Sequence, residues 1–87
     1  MLPERGRIVR SRAGHDKGRF YAVVRLEDGF VYVADGAGRP AGAPKKKNPL
    51  HLSCTRAVLP ERSLSDDTAI REMLRPFEER AGGVRRQ

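Results

Sequence analysis

Apolar and polar positions alternate over most of the first sixty residues and then change period. Ile8 and Val9 form the apolar centre of a first strand over Gly6–Ser11. The strongest strand runs from Arg19 to Leu26. It sets Phe20, Ala22, Val24 and Leu26 on one face and Tyr21, Val23 and Arg25 on the other. Phe30–Ala34 is a third strand, apolar on both faces. Leu50, Leu52 and Cys54 alternate with His51, Ser53 and Thr55 in a fourth, and Val58-Leu59 offers a short fifth pairing before Pro60. Beyond that point Ile70, Met73, Leu74 and Phe77 recur at helical spacing, which predicts a helix from Asp66 to Arg80.

Turn residues punctuate this pattern. Gly14, Asp16 and Gly18 lie between the first two strands. Asp28-Gly29 supplies the positive φ that a tight hairpin needs, and Asp35-Gly36 closes the third strand. Residues 35–49 read as one long flexible loop carrying Lys45-Lys46-Lys47-Asn48. Ser63 or Ser65 is placed to cap the helix, with Asp66 and Asp67 in its first turn. Gly82-Gly83 is placed to end it, and residues 84–87 read as a loose tail. Pro76 falls inside the helical span, where it predicts a bend or break near Leu74. The order of elements favours a mainly β fold, a small strongly bent antiparallel barrel with a C-terminal α-helix. Residues 1–60 would form the barrel and 61–87 the helix and tail of the same single domain.

Composition narrows the function. The chain has 87 residues, and 38% of them are hydrophobic, enough for one small core. No apolar run approaches the length of a membrane-spanning helix. The start, Met1–Gly6, has no apolar core of a secretion signal, and Cys54 is a single cysteine. Together these give the expectation of a cytoplasmic protein. Lys and Arg number 18 against 11 Asp and Glu, for a net charge of +7. Residues 1–60 hold 12 of the basic and 5 of the acidic groups, an excess of +7, whereas 61–87 hold six of each. A basic β module of this kind attracts polyanions, and nucleic acid is the expected partner.

The stretch from Gly6 to Leu26 resembles a KOW motif. Ile8-Val9 match its first strand, Gly14, Asp16, Lys17 and Gly18 its turn, and Val23-Val24 its second strand. Val33-Ala34-Asp35-Gly36, Pro44–Asn48 and His51-Leu52 are similar to small bacterial KOW-domain RNA-binding proteins, which are related to a large-subunit ribosomal protein family. The resemblance spans about residues 6–55. Phe20-Tyr21 depart from it where many KOW sequences carry another glycine, and the Gly- and Ala-rich loop matches loosely. It implies an SH3-like barrel that binds RNA on or near the ribosome.

The expected RNA contacts lie on two loops. Glycines at 14 and 18 let backbone N–H groups approach a phosphate closely. Arg10, Arg12, His15, Lys17 and Arg19 surround that turn, and Lys45, Lys46, Lys47 and Asn48 supply a second cluster. Hairpin geometry alone also accounts for the glycines. Tyr21, Phe30 and Tyr32 fit either a core or a base-stacking platform, with core as the first reading. Cys54 reads as a small buried hydrophobe. His51 and Cys54 fall on opposite faces of a strand with no second ligand pair, so neither a metal nor a cofactor is expected. No nucleophile–base pair or P-loop ending is present, and the reading is a non-enzyme. Two alternatives remain. One is a protein-interaction module docking through the apolar stripe of the helix. The other is a DNA-binding barrel, for which no recognition helix is evident.

Overall fold

The computed structural model describes the backbone of residues 3–85 and the side chains of residues 3–81. Five antiparallel strands follow the chain as β1 (Arg7–Ser11), β2 (Phe20–Glu27), β3 (Phe30–Ala34), β4 (Lys45–Lys47) and β5 (Leu52–Val58), before one helix, α1 (Asp67–Arg85). They form a single sheet in the order β4-β3-β2-β1-β5. β4 and β5 are not paired with each other, so the sheet stays open rather than closing into a barrel.

The sheet nevertheless coils strongly. Residues 48–51 join its two edge strands, and part of that link is a single 3-10 turn over Pro49–His51. In a flat sheet those edges would stand about 19 Å apart, more than a tightened link of this length spans. The Asp28-Gly29 hairpin forms as the sequence predicts, with φ of 53° and 79° at its two central residues. A register shift between Val23 and Arg25 bends β2, and another between Arg7 and Val9 bends the β1–β5 pair. At the second, the Thr55 hydroxyl donates to Ile8 O at 2.7 Å.

The period-2 alternation divides the core between the two faces. Val9, Tyr21, Val23, Val31, Val33 and Leu52 pack together on the inside of the curl. Ile8, Phe20, Ala22 and Ala34 line the other face and meet Ile70 and Leu74 of α1, with Leu59 and Leu64 closing the end. Each large side chain so buried contributes about 1.5–3 kcal/mol. Ile70 and Leu74 of the helical stripe are therefore buried against the sheet and Phe77 is half-buried, tilted on Phe20 at a centroid distance of 5.5 Å, whereas Met73 is exposed, contrary to expectation. No helix among the described residues is long and apolar enough to cross a membrane.

Several elements depart from expectation. Lys45–Lys47 is a strand, not part of a loop, so the true loop is 35–44. Leu50 leaves the fourth strand for the 3-10 turn, where it is 78% exposed, and Val58 belongs to β5 itself rather than to a separate pairing. Leu26 lies exposed near the hairpin end, beyond the reach of α1. Cys54 is exposed rather than buried. The helix is capped by Asp66, whose Oδ1 accepts from Ala69 N at 3.1 Å, and not by Ser63 or Ser65. It continues through Pro76, which faces solvent, and through Gly82-Gly83 to Arg85. Residues 84 and 85 thus extend the helix instead of starting the tail, while 86 and 87 lie outside the described residues.

The 35–44 loop is tied to the start of α1. Arg71 Nη1 donates to Gly36 O at 2.7 Å, and Ala41 N donates to Asp67 Oδ1 at 2.7 Å. Gly36 has φ 80°, and a Cβ there would collide with Asp67 O. Only glycine permits that approach.

Candidate nucleic-acid interface

The turn between β1 and β2 spans residues 12–19 and is built on two glycines in the left-handed region, Gly14 (φ 87°) and Gly18 (φ 93°). Its middle folds inward. Asp16 is only 7% exposed and Lys47 only 8%, and burial at that depth demands partners for both charges. Asp16 Oδ1 accepts from Ser11 Oγ at 2.8 Å and Lys47 Nζ at 3.0 Å. Oδ2 accepts from Tyr21 OH at 2.8 Å and Lys45 Nζ at 3.1 Å. The four donors converge because strand alternation turns residues 11, 21, 45 and 47 to the inside of the curl, as their register opposite the core valines requires. Among the described residues no buried side-chain polar atom lacks a partner.

This cluster has clear electrostatics. Burial pushes the Asp16 carboxyl upward, but the hydrogen bonds from Tyr21, Ser11, Lys47 and Lys45 outweigh it and hold the group far below the usual aspartate range. Tyr21 moves the other way, since burial and its bond to Asp16 hold the phenol well above its ordinary value.

The sequence-derived contact residues therefore divide among several places. Arg12, Gly14, His15 and Lys17 stand exposed on the turn. Arg19 is exposed there too, with Nη1 3.8 Å from Asp35 Oδ2. His15, Arg19 and Lys45 line a recess of about 340 Å³ together with Arg39 of the 35–44 loop, over a floor of Asp16, Tyr21 and Asp35. The lysine run does not form the second basic loop expected from the sequence, since it is a strand; the loop that faces the turn here is 35–44, with Arg39. Lys45 and Lys47 are committed to Asp16. Lys46 alone points outward, its Nζ 4.2 Å from the Phe30 ring centre. Asn48 caps the 3-10 turn, its Oδ1 accepting from Leu50 N at 2.9 Å.

Arg10 lies on the opposite side of the turn. Its Nε donates to Gly18 O at 3.2 Å, and its guanidinium covers Phe20 at 5.0 Å. Of the three aromatics considered as a platform, Tyr21 is buried. Phe30 and Tyr32 are half-buried, and Arg25 lies 4.2 Å over Tyr32. Those rings and cations form an outward row on the hairpin side of the sheet, opposite in register through Arg25–Tyr32 and Tyr32–Lys46.

Sequence reasoning missed the inward role of Asp16. The available signal was strand parity, which sends Lys45 and Lys47 to one side and Lys46 to the other. It also missed Arg39, whose position depends on the loop being folded against α1. No group of three or more metal-ligating side chains is found among the described residues. No protein-family model matches the chain, and no curated protein matches it.

Proposed function

We propose that this protein binds RNA, gripping phosphates with the 12–19 turn and the facing 35–44 loop, and that it works on or beside the ribosome. The observation that carries the reading is the meeting of these two loops at one recess, where Arg19, Arg39 and Lys45 outnumber the carboxylates of Asp16 and Asp35 and His15 stands beside them. Arg12 and Lys17 extend the rim and have no carboxylate partner among the described residues. The net charge of +7 supplies long-range attraction, and the recess supplies local geometry.

The coiled five-stranded sheet and the glycine turn support a KOW-type, SH3-like barrel opened between β4 and β5. Cytoplasmic placement follows from the same reading. Burial of Ile70 and Leu74 against the sheet favours the RNA reading over a module that docks through that part of its helix.

The test is a salt titration of binding to a folded ribosomal RNA fragment. Affinity should fall steeply with salt, and Arg12→Ala with Lys17→Ala should lower the log–log slope by about 2. Lys46→Ala should lower it by no more than about 1. A slope unchanged in the turn variant would remove the turn from the interface. Sedimentation of cell extract should also show the protein in ribosomal fractions, lost after RNase.

A further inference from the structure

A recess larger than the one at the turn is present elsewhere in the described structure. It lies along the seam between the sheet and the second half of α1, and has a volume of about 800 Å³, within the range of small-molecule sites. Its floor is apolar, formed by Phe20, Phe77 and Ala57. Arg10, Arg56 and Arg80 stand around it. No carboxylate lines it, and none of these arginines has an ion-pair partner among the described residues. Elsewhere on the surface, arginines 5, 7, 25 and 75 are each held by a glutamate.

Three unneutralised guanidiniums around one apolar hollow call for an anion that also has an apolar body. Two of them already lie over rings, Arg10 at 5.0 Å from the Phe20 centre and Arg80 at 5.6 Å from that of Phe77. Flat cations over flat rings present the faces on which a nucleobase stacks, and phosphate is the anion that guanidinium forks grip best. A second copy seated groove to groove would set these arginines against their own duplicates. Arg10 also ties the rim of the recess to the turn, since it bonds Gly18 O while covering Phe20.

Building on the RNA reading, we infer that the seam recess receives one unpaired nucleotide. Its base stacks against the Phe20–Phe77 floor and the guanidinium planes, and its phosphate is held by Arg56 and Arg80. The turn grips backbone of any RNA, whereas the seam selects strands with a base free to leave the stack.

Cys54, exposed on the recess wall, is a built-in reporter. The full chain is titrated with a single-stranded dodecamer and with a hairpin whose stem is closed by a non-nucleotide linker, so that every base is paired, while maleimide labelling of Cys54 is followed. The single strand should slow labelling at least fivefold and the hairpin should not. Arg56→Ala with Arg80→Ala should weaken single-strand binding about tenfold or more, leave hairpin binding within twofold, and keep the melting temperature. Single-strand affinity unchanged in that variant, with Cys54 unprotected, overturns the seam site while leaving the RNA reading in place. Failure of both RNAs to bind overturns the two together. Protection of Cys54 by an acidic, leucine-bearing peptide and by neither RNA assigns the seam to a protein partner instead.

Discussion

Asp16 shows how one residue can redirect the meaning of its neighbours. Read as sequence, it is one acid in a basic turn, and Lys45–Lys47 is a cationic run awaiting a ligand. In the fold the acid is buried and two of the three lysines neutralise it. The turn's glycines and the overall charge were legible in the sequence, because φ preference and net charge are local or additive properties. The pairing was not, because it depends on the coil that carries β4 toward the end of β1. Asp16→Asn should destabilise the fold by about 3 kcal/mol, since Lys47 would be left buried without its counter-charge. Asp16→Asn combined with Lys47→Met should cost less than the sum of the single changes in a denaturant double-mutant cycle. The pH dependence follows from the same cluster. Because the Asp16 carboxyl is depressed in the folded state, its contribution is complete above the ordinary value of 3.8 and is lost as pH falls below it. Because Tyr21 is raised, its contribution is complete below 10.0 and is lost as pH rises beyond that. Thermal melts should therefore drop at both extremes, and Tyr21→Phe should flatten the alkaline limb.

Among the elements, those set by short-range pattern were the easiest to foresee. Asp28-Gly29 with flanking alternation gave the hairpin, and the spacing of Ile70, Leu74 and Phe77 gave the buried face of α1. Boundaries failed where packing overrode a local stop signal. Gly82-Gly83 does not end the helix, and Pro76 does not break it. Pro76 removes the N–H that would bond Glu72 O, at a cost near 3 kcal/mol in a helix interior. Pro76→Ala should thus raise stability by about 2 kcal/mol after allowing for the freer unfolded chain, seen as a melting shift of roughly 10 °C. Gly36→Ala should do the opposite, because the new Cβ meets the Asp67 carbonyl and φ is positive. Slower amide exchange in α1 for the first variant and faster exchange in its opening turn for the second would separate these effects from changes in the sheet. Cys54 was misplaced because β5 is an edge strand of an open sheet, where sharing the register of Leu52 does not by itself bury a side chain.

At the scale of the molecule, sheet and helix share one core and depend on each other. Leu74, which is 1% exposed, contacts sheet residues on the face that α1 covers. Leu74→Ala should cost about 2–5 kcal/mol, with circular dichroism of helix and sheet lost in a single transition. Two melting steps would show that the sheet stands alone. The placement of β4 has a further consequence at this scale. An edge strand offers unpaired backbone groups to any passing chain, and such edges seed association between molecules. Here that edge is only three residues long, and every one of them is a lysine. Two turn inward, where both are held by one acid of their own chain, and the third stands over Phe30. A strand arriving from another molecule would find a short edge, no apolar side chains to match and one outward ammonium group. The residues that look most like a handle for a ligand thus also make β4 a poor template for a pairing strand.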